Sequence, residues 1–325
     1  MTNPPIDPLA MSCPAPLARY DSVQLAHGGG GRMMRNLIEG LFLPQFAALA
    51  TAGKTPPPPH DSVVLDIGGG QRLAFTTDSL SCGLVLEEGL PFETLRQVIA
   101  SMKQAADEAG VQIVTGDTKV VDRGKGDGIF INTAGIGLIP PGIDVSPSRV
   151  AVGDKVLISG DLGRHGIAIM SLREGLEFEG APASDCASLA GLVGELTSLG
   201  ADLHCLRDLT RGGLAAAVIE IAEHARVGIE LAEPAIPVLP AVRGACELLG
   251  LDPLYVANEG RLVAFVPAAA ADRALRILQQ HPAADQPALI GTVTDKHPGS
   301  VELRSAFGSG RLLDLLSGEQ MPRIC

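Results

Sequence analysis

Residues 206–216 read LRDLTRGGLAA, in which a short apolar segment ends in Arg207 and Asp208 and two glycines precede an Ala-rich run. This order predicts a strand, a glycine turn and a helix. Further candidate strands and helices alternate on both sides, from KVLISG at residues 155–160 to ALIGTV at residues 288–293. Because the connections between them are irregular, we predict an α+β (mixed α/β) fold rather than a doubly wound sheet.

The N-terminal half carries a second set of elements. RLAFTTDS (residues 72–79) predicts a strand, and PFETLRQVIASMKQAADEAG (residues 91–110) predicts an amphipathic helix. VQIVTGD and GIFINTAGIGLI predict two further strands, with the charged segment TKVVDRGKGDG between them as a loop. The predicted division is a disordered lead-in at residues 1–22, an N-terminal domain at 23–145, a C-terminal α+β domain at 146–315 and a mobile tail at 316–325.

Composition narrows the class of protein. The 325 residues are 46% hydrophobic and carry 25 Lys and Arg against 37 Asp and Glu, a formal net charge of −12. This acidity argues against a nucleic-acid partner, because such binding depends on cationic contacts with phosphate. No apolar run has the length of a membrane span. The six scattered cysteines and the absence of a basic, apolar leader predict reduced thiols in a cytoplasmic protein.

A run of four glycines precedes a candidate helix near the N-terminus. Gly28, Gly29, Gly30 and Gly31 let consecutive backbone N–H groups turn toward one anion, and Arg32 adds a cation. The run matches neither the P-loop nor the dinucleotide-binding fingerprint. Phosphate binding and a plain flexible turn therefore both remain open from these residues alone.

Carboxylates stand at the predicted ends of three strands. Asp78 ends TTD, Asp117 ends TGD, and Asp208 lies three residues before Arg211. Carboxylate and hydroxyl oxygens are the ligands that Mg²⁺ takes beside substrate phosphates. An Asp at any one of these places is also a common turn former or helix cap. The three together favour a metal–nucleotide site.

Two more residues are candidates for chemistry. Glu259, in ANEG, follows an apolar stretch and precedes a strand, so it is either a general base or an exposed turn carboxylate. Cys325 is the last residue of the sequence, and Pro322 keeps the segment before it from forming a helix. A thiol at a chain end is either a reactive group on a movable arm or incidental.

Several of these segments together match the motif pattern of a known protein family. The chain resembles the HypE family of hydrogenase maturation proteins, within the superfamily of aminoimidazole ribonucleotide synthetase, selenophosphate synthetase and thiamine-monophosphate kinase. The combination of DLTRGG, ANEG and the terminal PRIC in one chain is highly specific. The matching segments are LAHGGGGR, AFTTDS, LEEGLP, VQIVTGDTKVV, GKGDG with FINTAGIG, LRDLTRGGLAA, CELLGLDPLYVANEG and MPRIC.

The resemblance implies an ATP-dependent enzyme with Mg²⁺ bound between two domains and a homodimer formed through the N-terminal sheet. In this family the carbamoyltransferase HypF loads a carbamoyl group onto the terminal cysteine. ATP then drives its dehydration to a thiocyanate, and the HypC–HypD complex receives the cyanide. By the same resemblance Cys325 bears the substrate and Glu259 is the candidate base. The other implied roles are Mg²⁺ binding for Asp78 and Asp117, phosphate contacts for Gly28–Gly31 and Arg32, charge neutralisation for Lys119, and shaping of the nucleotide cleft for Asp208 and Arg211.

One departure from the family concerns the segment after TDS. Family members continue from this motif through a glycine-rich segment, a helix with an Asn-Asp pair and a further strand. Here Ser79 leads directly into Leu80, so one metal-binding carboxylate and one helix are absent. A non-catalytic adaptor that docks HypF or HypC–HypD is therefore the second hypothesis. A small-molecule kinase is the third, although it gives the terminal cysteine no purpose.

Overall fold

The computed structural model describes residues 31–37, 39, 63–77, 83–113, 117–175 and 182–316. Its strands are β1 (Val63–Gly68), β2 (Gln71–Thr77), β3 (Gly83–Glu87), β4 (Asp117–Val121), β5 (Ile129–Asn132), β6 (Ala134–Ile139), β7 (Lys155–Ile158), β8 (Cys205–Asp208), β9 (Gly228–Ala232), β10 (Leu262–Val266), β11 (Ala288–Thr294), β12 (Val301–Arg304) and β13 (Gly310–Leu313). Its α-helices are α1 (Arg32–Leu37), α2 (Phe92–Ala109), α3 (Arg164–Glu174), α4 (Ala190–Leu196), α5 (Gly213–Ala225), α6 (Pro240–Leu249) and α7 (Ala271–Gln280).

The C-terminal part is built on one seven-stranded sheet. Its strand order is β13-β12-β9-β11-β7-β10-β8, and every neighbouring pair is antiparallel except β9 with β12. All five residues of β10 are buried, as expected for a strand covered on both faces. Helix α5 contributes nine buried residues, and its run of alanines explains how it packs closely on the sheet. The mixed helix-and-sheet fold predicted from the sequence is confirmed.

The N-terminal part has two small sheets instead of one large one. The first has the order β1-β2-β6 and is antiparallel, and the second has the order β4-β3-β5 with β3 parallel to β4. The segment GIFINTAGIGLI, predicted as one strand, therefore divides into β5 and β6, which belong to different sheets. The predicted loop after residue 117 is also wrong in part, since TKVV lies in β4. The β-branched residues Thr118, Val120 and Val121 explain this preference for strand.

The two parts differ sharply in burial. The C-terminal part holds two large apolar clusters, one on either face of its sheet, and a smaller third cluster. Among the residues described between 63 and 145, Ala106 is the single buried one. Thirteen large apolar side chains of that part are exposed, including Ile136 at 71% and Leu138 at 66%. Burial on this scale does not offset the loss of chain entropy without additional covering surface.

We expect the N-terminal part to open more readily than the C-terminal part. At low protein concentration, the amides of β2, β3 and β6 should exchange with deuterium at least about a hundredfold faster than those of β7 and β10, because little apolar surface holds the small sheets closed. Hydrogen exchange read by mass spectrometry of peptides measures this difference. Equal protection in both parts would show that a core covers the N-terminal sheets in solution.

The helices of these described ranges also bear on membrane insertion. None of the helices there combines the length and apolarity needed to cross a bilayer.

Candidate active site

Two loops of the C-terminal part meet at one end of its sheet. The loop that begins at Asp208, the last residue of β8, carries Arg211, and the loop before β10 carries Glu259. The backbone N–H of Asn258 donates to the carbonyl oxygen of Leu209 at 3.1 Å, and the Leu209 N–H donates to the Arg261 carbonyl oxygen at 3.1 Å. The antiparallel register of β8 and β10 places Asp208 opposite Leu262. Three of the sequence-predicted site residues therefore lie on two loops that are hydrogen-bonded to each other.

Asn258 fixes the position of the second loop. Its side chain is fully buried, and its Oδ1 accepts from the Gly163 N–H at 2.7 Å. Its Nδ2 donates to the carbonyl oxygens of Leu209 at 3.0 Å and Val256 at 3.1 Å. One amide thus joins the loop after β8, the loop before β10 and the start of α3. The three hydrogen bonds of its side chain fix the backbone at Asn258 and thereby the position of its neighbour Glu259.

Two helices begin beside this loop. Helix α3 starts after Gly163, at φ 86°, and α5 starts after Gly212, at φ 79°; both are left-handed conformations that favour glycine. A Cβ on Gly213 would lie 2.5 Å from the Leu254 carbonyl oxygen, so the α5 N-terminus packs directly on the segment before Glu259. Helix N-termini carry partial positive charge and favour anions. The positive ends of two helices therefore lie beside the loop that carries Glu259.

A buried ion-pair cluster lies next to Glu259. Arg261, 3% exposed, donates from Nη2 to Asp161 Oδ1 at 2.7 Å, and its Nε lies 3.7 Å from Asp185 Oδ2. Arg164 bridges Asp161 and Asp285 at 2.8 Å each. Asp185 Oδ1 accepts from the backbone N–H of Glu259 at 3.3 Å. The cluster thereby connects the end of β7, the start of β10 and residues 182–189.

Cys186 is an exposed thiol on the same side of the site. Partial burial raises the pKa of the Cys186 thiol above its usual value, and the negative charges of Glu259 and Asp185 raise it further. Cys186 directly follows Asp185 in the chain, and Asp185 in turn contacts the Glu259 backbone. Neither Asp185 nor Cys186 was predicted as a site residue, because they belong to a segment with no recognisable motif and reach the site only through the tertiary fold.

The proximity of Cys186 to Glu259 gives a measurable effect. Since a nearby negative charge raises a thiol pKa, Glu259→Gln should lower the pKa of Cys186 and increase its thiolate fraction at pH 8. We expect iodoacetamide to alkylate Cys186 about two- to fivefold faster in this variant than in the wild type. The rate is read from the mass of the Cys186 peptide.

Two variants control the alkylation experiment. Glu259→Asp keeps the charge and should keep the slow rate, whereas Glu195→Gln removes an exposed carboxylate that does not contribute to the Cys186 pKa. An unchanged alkylation rate in Glu259→Gln would show that the charge of Glu259 does not raise the pKa of Cys186.

The start of α1 lies against the last described residues. The Arg32 N–H donates to the Leu316 carbonyl oxygen at 2.9 Å, and its guanidinium binds both carboxylate oxygens of Asp314 at 2.7 Å. A Cβ on Gly31 would lie 2.5 Å from the same Leu316 oxygen. The Tyr255 hydroxyl donates to the Asp314 carbonyl oxygen at 2.9 Å. Arg32, predicted to contact phosphate, is here paired with Asp314.

The remaining predicted residues belong to the N-terminal part or lie outside the described residues. Lys119 is exposed on β4, two positions after Asp117, so both positions share one face of the small sheet. The register places Asp117 and Asn132 on either side of Gly83. Gly28, Gly29, Gly30, Asp78 and Cys325 lie outside the described residues. Within the described ranges, no group of three or more His, Cys, Asp and Glu side chains forms a metal site.

Two family models match the chain. The AIR synthase related protein C-terminal domain matches residues 151–304, and the AIR synthase related protein N-terminal domain matches residues 80–139. The second match begins directly after the TDS motif, where the sequence departs from the family pattern. Together the two models span both parts of the fold.

Relatives with names and structures extend the comparison. The carbamoyl dehydratase HypE of Azotobacter vinelandii is 43% identical over 341 residues, which covers 94% of this chain and 98% of the relative. A crystal structure of a HypE–HypF complex matches with a TM-score of 0.78 at 37% identity, covering 86% of this chain and 99% of the other. HypE in complex with ATP matches with a TM-score of 0.74 at 40% identity, covering 94% and 100%.

The alignment with the Azotobacter vinelandii relative also shows a difference in length. It runs over 341 positions but includes only 94% of the 325 residues of this chain, about 306, so roughly 35 positions lack a residue here. This size fits the absent unit inferred after Ser79.

Proposed function

Because this chain belongs to the HypE family, we propose that it is an ATP-dependent carbamoyl dehydratase of nickel–iron hydrogenase maturation. Its substrate is the S-carboxamide on its own Cys325, and its product is a thiocyanate on the same sulfur. The observation that carries the proposal is the joining of the Asp208–Arg211 loop to the Glu259 loop at two helix N-termini. This arrangement brings the candidate base next to the positive ends of two helices.

The dehydration needs both a leaving group and a base. ATP supplies the phosphoryl group that turns the amide oxygen into a leaving group, and that oxygen departs with phosphate. The carboxamide nitrogen loses one proton to Glu259 and the other to the departing phosphate, and the C≡N group remains bonded to sulfur. Glu259 accepts an N–H proton, while Lys119 offsets the negative charge that develops on the oxygen.

The anchoring of residues 314–316 supports delivery of Cys325 to this base. Tyr255, four residues before Glu259, holds Asp314, and Arg32 holds Leu316. Nine residues follow Leu316, and a fully extended chain of that length spans about 30 Å. An arm that starts beside the loop and has this reach is long enough to bring its terminal sulfur to Glu259.

ATP and Mg²⁺ are assigned to both parts of the chain. In this proposal Gly28–Gly31 and Arg32 contact the phosphates, and Asp208 and Arg211 shape the nucleotide cleft. Asp78 and Asp117 bind Mg²⁺, which takes oxygen ligands and keeps several waters. Asn132 lies across the sheet register from position 117 and offers a further oxygen. Arg32 exchanges Asp314 for phosphate when the nucleotide binds.

Three protein partners follow from the family. HypF loads the carbamoyl group, and a HypE–HypF complex among the similar structures supports that docking. The HypC–HypD complex receives the cyanide. The third partner is a second copy of this chain in the cytoplasm, supported by the apolar face of the β1-β2-β6 sheet. By strand register this face carries Leu65, Leu73, Phe75, Ile136 and Leu138.

The roughly 35 missing positions favour a second candidate function. Without that unit the Mg²⁺–ATP site lacks one carboxylate of the family, and the N-terminal sheets lack a covering helix. A protein in this condition still carries Cys325 and the surface of the C-terminal part. The second candidate is therefore a non-catalytic carrier that accepts the carbamoyl group from HypF and docks HypC–HypD.

One experiment separates the two functions. The full chain is first incubated with HypF, carbamoyl phosphate, Mg²⁺ and the ATP that loading consumes. The remaining ATP is then removed, and fresh ATP is added to one of two portions. The mass of the C-terminal peptide is then measured. A carbamoyl adduct that loses one water only when ATP is returned supports the dehydratase. An adduct that persists with ATP supports the carrier, and absence of any adduct with active HypF contradicts both.

A further inference from the structure

Residues 185–187 lie directly against the Glu259–Arg261 segment. A Cβ on Gly260 would overlap the Asp185 carbonyl oxygen, so the two backbones approach as closely as glycine permits. Asp185, 5% exposed, accepts a hydrogen bond from the Glu259 N–H at 3.3 Å through Oδ1, and its Oδ2 lies 3.7 Å from Arg261 Nε as an ion pair. A single side chain from a distant part of the sequence thus contacts the residues on both sides of Gly260.

We propose that Asp185 is a positioning residue for the dehydration step, because its carboxylate, oriented by Arg261, fixes the main chain of Glu259. The inference rests on the proposed role of Glu259 as base. A base performs well only when its oxygen is held close to the proton it removes, and a misplacement of about 1 Å from a remote change reduces the rate about a hundredfold. Asn258 fixes the loop on one side of Glu259, and Asp185 fixes the other.

Fold stability alone does not account for a carboxylate at this position. Arg261 already has a charged partner in Asp161, at 2.7 Å. Taking a second carboxylate out of water is unfavourable, and a buried ion pair adds little stability compared with well-packed apolar residues. The chemical need that Asp185 meets is an acceptor for the Glu259 N–H that is also held in direction by Arg261.

Two substitutions of Asp185 weaken its contact with Glu259 to different extents and should lower the rate of dehydration accordingly. Asp185→Ala removes the acceptor and should lower the kcat of dehydration about 10- to 100-fold, with the KM for ATP unchanged. Asp185→Asn keeps one acceptor oxygen for the Glu259 N–H but removes the negative charge that pairs with Arg261, so kcat should fall about three- to tenfold. Ser184→Ala is the matched control, since Ser184 contacts His165 and the Cys186 N–H instead of Glu259. Its kcat should stay within twofold of wild type.

The measurement is the single-turnover rate of dehydration of Cys325 already loaded by HypF, taken over a range of ATP concentrations; its maximum gives kcat and its midpoint the KM for ATP. Loading yield and melting temperature are recorded for each variant. A graded loss confined to dehydration supports the inference, and so does the absence of further loss when Asp185→Asn is added to Glu259→Gln. Wild-type kcat in Asp185→Asn overturns it, even if Asp185→Ala does not fold. Full activity of Glu259→Gln would instead overturn the proposed base, so the two failures are distinguishable.

Discussion

Replacement of Cys325 by Ala is expected to abolish both the carbamoyl adduct and the thiocyanate. The carbamoyl group is bonded to the thiol sulfur, and Ala offers no atom that forms this bond. The loss should therefore be complete, while the melting temperature should stay within about 1 °C, because one substitution at the last residue of the chain has little effect on stability. Mass spectrometry of the C-terminal peptide after incubation with HypF, carbamoyl phosphate and ATP measures the effect.

Cys186→Ala is the matched control for this substitution. It removes an exposed thiol whose pKa the Glu259 charge raises, and it leaves the terminal cysteine intact. The adduct on Cys325 should form in this variant at the wild-type yield. Continued labelling of Cys325→Ala on the Cys186 peptide would instead move the substrate to that thiol.

The sequence predicted the loops of the site better than the contacts between them. DLTRGG and ANEG each combine a turn with a helix or strand boundary, and local chemistry alone locates such boundaries. In the fold the two loops are hydrogen-bonded to each other, so Asp208, Arg211 and Glu259 lie near one another. The supporting carboxylate of Asp185 has no local signal. Its contact with Glu259 spans 74 positions and depends on how residues 182–189 pack.

In the N-terminal part the sequence shows the difference from the family, but only the fold shows its effect on packing. Its difference from the family was visible in the sequence, because Ser79 leads straight into Leu80. Its consequence for packing was visible only in the fold, where the sheet is divided in two and Ala106 is the single buried residue described between 63 and 145. A period of two in the sequence predicts which side chains share a face, but not whether another element covers it. In the proposed function a second copy covers the apolar face of β1-β2-β6.

Glu259→Gln is the second substitution with a large expected effect. Gln has nearly the same shape as Glu and keeps a hydrogen-bonding oxygen, but it does not accept a proton in the working range of pH. Loss of a positioned general base lowers the rate about 10²- to 10⁴-fold. We expect this reduction in the single-turnover rate of dehydration, with HypF-dependent loading of Cys325 unchanged, since that step does not use Glu259.

The location of Glu259 makes this substitution a strict test of the proposed chemistry. The backbone of its loop is held by Asn258, Asp185 and Arg261, so a change confined to the Glu259 carboxylate should leave the loop in place. Glu247→Gln, which alters an exposed carboxylate on α6, should retain the wild-type rate. A Glu259→Gln protein that loads carbamoyl groups normally but accumulates them in the presence of ATP would identify proton removal as the lost step. Dehydration within twofold of wild type would place the base outside this loop.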